Sequence, residues 1–520
     1  MAADLETLQA PTEAPDHADE APLGDLPEDD RSSLPRVLLA AAAVLFLGVY
    51  VVLALRRMGH PYELEWMEGG VLDHVRRVLD GEPLYGPPSL DFVPYLYTPL
   101  YYYVAAGASA VLGEGFLALR LVSFVASLVA FWAVYRLVEH ETGDRWAGVV
   151  AAGFLAGTFR LGGDWFDLAR VDSLFLALLL SGLWCVRTAR STRMVVLAGV
   201  LVSLAFLSKQ AALLPAVAPL LWLLVTERRR ALAYGATVAA GIGGSTILFD
   251  RLTDGWYSAY VLDLPASHEL VSEKWLGFWT EDLLAHVPFA IALGGAAVLL
   301  LHRRQGPRSP LLFIVPVAGA LAAASYSARL HSGGFDNVLI PAYAAAAVGF
   351  GLGVAAARRA RPRWRSVGYA AAGVQLALLS YAAWTAVPDA GHRRSGEALI
   401  ADLRSLPGPV YLPAHGWYLE QAGHGTTAQG AAMKDVLRSS LPWRAPLEEE
   451  LRVAMADQRF AAVVVDSDDE YSYLPPNFKY NYRYARQIGD RDRVLLPLTG
   501  TSTGPAELWV PIDPEESLDF

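Results

Sequence analysis

The chain has 520 residues, of which 54% are hydrophobic and 18% are charged, and its formal net charge is −11 at pH 7. Soluble proteins usually carry about 25% charged residues, so this composition excludes an ordinary water-soluble enzyme. The acidic balance excludes nucleic acid as the main partner, and the single cysteine excludes disulfides and a Cys-based zinc site.

The N-terminal segment, residues 1–35, is acidic and rich in proline and alanine. Its first 30 residues contain ten Asp and Glu side chains and no Lys or Arg. A segment of this composition buries too little apolar surface to offset the entropy lost on ordering the chain. We therefore expect a disordered acidic tail.

Apolar stretches dominate the chain from residue 36 to residue 386. A helix of about 20 apolar residues crosses the roughly 30 Å of hydrocarbon in a bilayer, and the first stretch has this length. The pattern predicts an all-α polytopic membrane bundle of about 11 transmembrane helices. The stretches are 36–55, 116–138, 146–161, 171–187, 194–208, 211–226, 231–250, 283–301, 310–328, 337–357 and 366–386.

Arginine is concentrated in alternate connections between these stretches. Fourteen Arg side chains lie in the loops 187–193, 227–231, 302–308 and 358–365. Short cationic loops stay on the cytoplasmic side of a membrane. Counting spans from these loops places the N-terminal tail in the cytoplasm, and it places the first loop, 56–115, and everything after residue 386 outside the cytoplasm.

The first external loop, 56–115, contains a Tyr- and Pro-rich segment at 95–112, which we expect to form a juxtamembrane helix. The loop is also dense in acids, among them Glu63, Glu65 and Glu68. Glu68 precedes a stretch with helical spacing, where a carboxylate is stabilised in its ionised form, as a general base requires. The alternative is a loop that is polar because water solvates it.

A second group of acids lies in the turn GGDWFDLARVDS, which ends at Asp172. An ionisable group at the membrane end of an apolar helix is costly unless it faces the protein interior or a cavity. We therefore expect Asp172 to meet the acids of the first loop in one cleft. The alternative is a structural ion pair of Arg170 with Asp172 or with Asp167.

Two further external turns carry groups that could bind an anion. Lys209 interrupts two apolar stretches and could pair with an anionic headgroup, or it could extend to the membrane interface. The turn HSGGFDN begins at His331 and ends at Asn337, and Arg329 lies next to it in the chain. Arg329 could bind phosphate through two hydrogen bonds, or the glycines could simply turn the chain.

The composition changes after residue 386, where proline, glycine and charged residues become more frequent. Short apolar runs next to a helical stretch at 446–458 predict a small α/β domain over residues 387–520. The runs are 409–413, 461–469, 493–498 and 507–512. The sequence contains no Walker loop and no nucleophile elbow, which argues against ATP-driven transport and serine hydrolysis.

Five motifs follow one another in an order that resembles the GT-C glycosyltransferases, in particular the protein mannosyltransferase and lipid A aminoarabinose transferase-like group. The motifs are VRRVLDGEPLY, YTPLYYYVAA, ARVD, LAFLSKQ and HSGGFDNVLIP. The resemblance covers residues 36–386. It implies a GT-C fold and transfer of a sugar from a polyprenyl-phosphate donor to an acceptor outside the cytoplasm.

The resemblance also implies roles for particular residues. The family has an Asp-Glu pair in the first loop, which here reads Met67–Glu68, so the base would be Glu68 or Glu65. The second acid corresponds to Asp172, and the lysine after LAFLS corresponds to Lys209. We expect the substrate to be bound by Arg170, Lys209, Tyr97, Arg329, His331 and Asn337.

The leading prediction is therefore a multi-pass glycosyltransferase of the plasma (inner) membrane, which uses a lipid-linked donor, inverts the sugar and acts on a glycan, lipid or protein acceptor. No cofactor and no metal ligand is implied, although the acidic first loop could bind a divalent cation. A lipid-linked-sugar flippase or polytopic transporter is the alternative, but its acids should lie in the middle of spans. A non-catalytic member, suggested by Met67, is the third hypothesis.

Overall fold

The computed structural model describes residues 33–301, 309–467 and 473–513. The predicted disordered tail lies almost wholly outside the described residues, as does the arginine-containing loop 302–308. In the described part, each of the eleven apolar stretches forms a helix. These helices are α1 (Leu34–Met58), α4 (Phe116–Thr142), α5 (Arg145–Gly157), α6 (Asp172–Thr188), α7 (Thr192–Ser208), α8 (Leu213–Thr226), α9 (Arg228–Leu252), α10 (Pro288–Leu301), α11 (Pro310–Leu330), α12 (Ile340–Arg358) and α13 (Pro362–Leu378).

The chain is a multi-pass membrane protein by the length and apolar character of its helices. Within the described residues, five helical segments are long and apolar enough to cross a bilayer, or up to seven if two bent helix pairs each count as one span. Several of the remaining helices have 13 to 17 residues, which is short for a perpendicular crossing. The number of eleven spans therefore stays a prediction.

Small residues allow the helices of the bundle to approach one another closely. A Cβ atom on Gly153 of α5 would overlap the backbone of Ala43 in α1. A Cβ atom on Gly351 of α12 would lie 2.7 Å from the Cβ of Ala151. Lipid tails are as apolar as the helix surfaces, so the hydrophobic effect does not drive helices together within a bilayer. Close van der Waals packing between backbones stabilises their association instead.

The first loop, 56–115, contains two helices, α2 (Glu68–Leu79) and α3 (Leu100–Leu112). The second coincides with the predicted juxtamembrane segment. It buries Tyr101 and Tyr102 against the protein and exposes Tyr103 and Val111. This two-sided character suits a helix at a membrane surface, and its depth in the membrane remains a prediction.

The C-terminal part forms a small unit of helices and one sheet, as the composition predicts. The helices are α14 (Ala390–Arg404), α15 (Gly416–Ala422), α16 (Gly430–Leu437) and α17 (Arg444–Ala456), and the strands are β1 (Val410–Tyr411), β2 (Ala462–Asp466), β3 (Tyr482–Gln487) and β4 (Pro505–Pro511). The strand order is β1-β2-β4-β3; β1 and β2 are parallel, and the other two pairs are antiparallel.

Three of the four predicted apolar runs of this unit overlap a strand, but the run 493–498 does not. It crosses to the first loop instead, where the Leu498 amide donates to the Leu64 carbonyl oxygen at 2.9 Å. The Thr499 amide donates to the same oxygen at 3.1 Å. The backbone N–H and C=O groups of an apolar run can find hydrogen-bond partners in a neighbouring loop as well as in a sheet. Composition alone therefore does not distinguish a strand from a segment of this kind.

Candidate active site

Glu68 connects the first loop to α4 through a buried ion pair with Arg120, and to the turn 162–170 through a hydrogen bond from the Ala169 amide. The carboxylate accepts hydrogen bonds from Arg120 at 2.9 and 2.6 Å and from the amides of Leu64 at 2.7 Å and Ala169 at 2.8 Å. Both side chains of the pair are fully buried. Burial alone would raise the pKa of Glu68, but Arg120 and the backbone donors hold it below its ordinary value.

The structure thus gives Glu68 a position at the start of α2, as predicted, but not a free carboxylate. Both of its oxygens are occupied by protein donors, and Glu68 does not line the neighbouring cavity. A base must reach the proton that it accepts. The role of Glu68 as the base stays a prediction, and so does that of the alternative, Glu65, which lines the cavity.

Glu65 lies one turn before α2 and lines the cavity. Its Oε2 atom lies 3.5 Å from Nη1 of Arg170 and accepts from the Met67 amide at 3.2 Å. Its Oε1 atom has no hydrogen-bond partner among the described residues. Burial, opposed by Arg170, raises the pKa of Glu65 to about 8, so this carboxyl group can gain or lose a proton near neutral pH.

Asp172, at the start of α6, is held by three side chains from different parts of the chain. It accepts from Nζ of Lys209 at 2.5 Å, from the amide of Asn337 at 3.0 Å and from the indole of Trp165 at 2.9 Å. The alternative pairing of Arg170 with Asp172 or Asp167 is not formed. Asp167 instead lies 3.3 Å from Arg57.

Arg170 is surrounded by aromatic rings at the edge of the cavity. Its Nη2 atom donates to the Tyr97 hydroxyl at 3.0 Å. Its guanidinium carbon lies 5.4 Å from the ring centres of both Tyr97 and Trp165, and Nζ of Lys209 lies 5.9 Å from the Tyr97 ring centre. Tyr97 therefore stands between the two cations and fixes both of them near one place.

These groups surround a cavity of about 720 Å³. A volume of this order suits a sugar-sized group with part of its attached chain. Asp172 lies beside it and lines a small pocket that shares Lys209 and Asn337 with the cavity. Of the predicted residues, those that line the cavity are Glu65, Tyr97, Arg170, Lys209, His331 and Asn337.

Arg329 is the predicted binding residue that the structure keeps away from the cavity. It donates to both oxygens of Asp282 at 2.9 and 2.8 Å and to the Gly334 carbonyl oxygen at 2.9 Å, and it lies 3.2 Å from Asp336. The guanidinium is thus occupied by protein acceptors and does not line the cavity. Two of its contacts, to Gly334 and Asp336, lie in the 331–337 turn, and the role of Arg329 in binding phosphate stays a prediction.

The C-terminal unit contributes cavity residues that the sequence reasoning missed. Asp435 and Arg438 come from the end of α16, and Gly500 and Thr501 follow the segment that crosses the first loop. Gly500 has φ +80°, and a Cβ atom there would lie 3.0 Å from Oε1 of Glu65. An Asp and an Arg three residues apart look like any exposed helix pair, so no sequence signal marked them.

The described residues contain no group of three or more His, Cys, Asp or Glu side chains arranged to hold a metal ion. Two acids of the first loop are instead paired with cations, Glu68 with Arg120 and Glu65 with Arg170.

Comparisons with known proteins bear on the fold. Residues 96–249 match the family model of dolichyl-phosphate-mannose-protein mannosyltransferase. The structure is similar to ArnT from Cupriavidus metallidurans bound to undecaprenyl phosphate, with 13% identity over 92% of this chain and 98% of that chain and a TM-score of 0.55. No curated protein matches the sequence significantly.

A second solved structure has the same architecture. This is the archaeal oligosaccharyltransferase AglB from Archaeoglobus fulgidus, in complex with an inhibitory peptide and a dolichol-phosphate. The identity is 14% over 87% of this chain and 73% of that chain, with a TM-score of 0.50. The resemblance predicted from the five motifs is therefore confirmed, and the chain has the GT-C glycosyltransferase fold.

Proposed function

We propose that this GT-C-fold protein is an integral membrane glycosyltransferase that moves a sugar from a polyprenyl-phosphate donor to an acceptor hydroxyl on the extracytoplasmic face. One observation carries the proposal: a carboxyl group without a full set of partners, Glu65, and two cations, Arg170 and Lys209, line the same cavity. Solved proteins of the same fold bind undecaprenyl phosphate and a dolichol-phosphate, which supports this donor class.

Glu65 is proposed as the general base. In its ionised form it accepts the proton of the acceptor hydroxyl while the oxygen attacks the anomeric carbon of the sugar. Its pKa, raised to about 8 by burial, lies close to the operating pH, which is the favourable range for a base. Direct displacement by the acceptor oxygen would invert the configuration of the sugar.

Arg170 and Lys209 are proposed to hold the phosphate. As the bond between the anomeric carbon and the phosphate oxygen breaks, negative charge grows on the leaving polyprenyl phosphate. Fixed cations near that oxygen stabilise the charge. Asp172 is a positioning residue in this scheme, because its 2.5 Å hydrogen bond from Lys209 and its 3.0 Å bond from Asn337 orient those groups toward the cavity.

The sidedness of the site is also proposed. The first loop, the turn 162–170 and the segment 498–501 contact one another directly, for example where the Thr499 hydroxyl donates to the Gly163 carbonyl oxygen at 2.6 Å. They therefore share one side of the bundle. The described arginine-rich connections, 187–193, 227–231 and 358–365, lie between the opposite helix ends. The positive-inside rule therefore favours an extracytoplasmic site, an extracytoplasmic C-terminal domain and a cytoplasmic N-terminus.

A transfer assay tests the proposal. Purified protein in lipid nanodiscs is supplied with undecaprenyl-phosphate donors that carry radiolabelled mannose, glucose, galactose or arabinose, together with glycan, lipid and peptide acceptors. We expect transfer from at least one donor, with loss in Glu65→Gln and Arg170→Gln and no change in the surface control Glu449→Gln. Equal transfer by all variants would contradict the proposed site, and donor movement across vesicles without sugar loss would favour a flippase.

A further inference from the structure

The end of α16 places a cluster of polar side chains on the cavity wall. Arg438 donates to Asp435 at 2.5 Å and to the Ser332 hydroxyl at 2.8 Å, and its Nη2 atom lies 3.1 Å from Nδ1 of His268. His268 also contacts the Asp435 carbonyl oxygen at 3.3 Å. The cluster thus ties the C-terminal domain to two external connections of the membrane bundle.

This cluster differs from an ordinary helix surface pair in its burial. The side chains of Asp435 and Arg438 are only 14% and 26% exposed, whereas the equivalent pair on α17, Glu449 with Arg452, is 58% and 54% exposed. Partly buried charges of this kind bring a desolvation cost that a surface pair avoids. Partly buried charged side chains in a cavity therefore indicate a ligand with polar groups that can pair with them.

The cluster faces the same space as the proposed reaction groups. Asp435, Arg438 and His268 line the cavity together with Glu65 and Arg170. Burial, opposed first by Arg438 and also by Arg170, raises the pKa of Asp435 to about 6, so the carboxylate is ionised at neutral pH and can accept hydrogen bonds.

Other cavity atoms lack partners and add to this mixed polar surface. Nε of Arg438, Nδ1 of His331 and Oε1 of Gln210 have no hydrogen-bond partner among the described residues. Four aromatic rings, of Trp66, Tyr97, Trp165 and Phe335, line the same cavity. Donors, acceptors and aromatic faces in one enclosure match a ring that carries several hydroxyl groups, because each hydroxyl both donates and accepts.

We propose that Asp435, Arg438 and His268 form a sugar-binding subsite that the C-terminal domain adds to the cavity. The inference rests on the proposed glycosyltransferase function and deepens it by assigning residues to the sugar. The carboxylate of Asp435 accepts from neighbouring sugar hydroxyls, and the Nε of Arg438, which has no partner among the described residues, donates to a sugar oxygen. His268 accepts from Nη2 of Arg438 and so holds the guanidinium in place. The occupant is a pyranose or furanose ring, either the sugar being transferred or the sugar of a glycan acceptor.

Binding measurements test the subsite without depending on turnover. The probes are undecaprenyl phosphate, the four undecaprenyl-phosphoryl sugars named above and the methyl glycosides of the same sugars, followed by saturation-transfer NMR and thermophoresis on the full-length protein. Asp435→Asn and Arg438→Lys are compared with Glu449→Gln. The double variant Asp435→Asn/Arg438→Gln removes both charges of the pair, so neither charge is left buried without its partner. It can therefore be measured even if a single variant misfolds.

We expect the wild type to bind at least one sugar probe and the Asp435 and Arg438 variants to bind it about tenfold or more weakly, as for lost hydrogen bonds to charged groups. The control variant and the binding of undecaprenyl phosphate should be unchanged. If the subsite holds the transferred sugar, the variants weaken the sugar-carrying donors relative to undecaprenyl phosphate. If it holds the acceptor sugar, they weaken only the methyl glycosides, measured with undecaprenyl phosphate bound.

The proposal is overturned if the wild type binds no methyl glycoside and binds no undecaprenyl-phosphoryl sugar more tightly than undecaprenyl phosphate. It is also overturned if the Asp435 and Arg438 variants bind the sugar probes with wild-type affinity. A wild-type protein that does not bind undecaprenyl phosphate would instead remove the donor class of the proposed function. The two failures are therefore distinguishable, and a sugar site that persists without lipid-phosphate binding would stand on its own.

Discussion

Replacing Glu68 by glutamine should separate structural support from catalysis. In the folded protein Glu68 accepts two hydrogen bonds from Arg120 and one each from two backbone amides, and both side chains are fully buried. The substitution leaves the Arg120 guanidinium buried without its counter-charge. Breaking a buried pair in this way costs about 3–5 kcal/mol.

The matched substitution Glu65→Gln should act in the opposite way. Because burial raises the pKa of Glu65 to about 8, its carboxyl group is mostly protonated at neutral pH and glutamine resembles that form. We expect little change in stability, but a loss of transfer of about 10²- to 10⁴-fold if the group is the base. Glu449→Gln, on an exposed pair, should change stability by less than about 1 kcal/mol.

Thermal denaturation in detergent and the transfer assay, both run on the same preparations, measure the two effects. Glu68→Gln should lower the thermal midpoint and retain transfer at temperatures where it is folded, whereas Glu65→Gln should keep its midpoint and lose transfer. Folded but inactive Glu68→Gln together with active Glu65→Gln would refute the reasoning about which carboxylate reacts.

Three further outcomes are expected. Transfer should rise with pH and level off above about 8, because the pKa of Glu65 is raised to about 8 and only its ionised form accepts a proton; a rate that falls toward that pH would count against this base. Gly500→Ala should reduce kcat, because the added Cβ would lie 3.0 Å from Oε1 of Glu65. Gly81→Ala is the control: it has a similar φ of +72° and so a similar backbone strain, but no atom lies within 4 Å of the added Cβ, and kcat should not change. Lys209→Met should weaken undecaprenyl phosphate binding about tenfold or more, as for a lost charge-assisted hydrogen bond, and it should lower the thermal midpoint because Asp172 loses its counter-charge; unchanged affinity in thermophoresis would remove the lysine from the phosphate site.

The helices of the bundle and the class of the C-terminal domain could be predicted from the sequence alone. Each of the eleven apolar stretches forms a helix, because hydrophobic runs and helix-ending residues act over a few neighbours along the chain. The same holds for Asp172 at the start of α6 and Glu68 at the start of α2, whose local patterns mark a helix beginning. The order of motifs was enough to indicate the GT-C fold.

The tertiary structure decided which of these groups meets the cavity. Glu65 and Glu68 are three residues apart and equally acidic, and the difference between them is set by Arg120 and Arg170, which lie at distant positions in the chain. Asp435 approaches the site from more than 360 residues beyond Glu65. Hydropathy and residue spacing predict only local structure, such as where a helix begins and ends. Ion pairing and burial depend on contacts between elements that folding brings together.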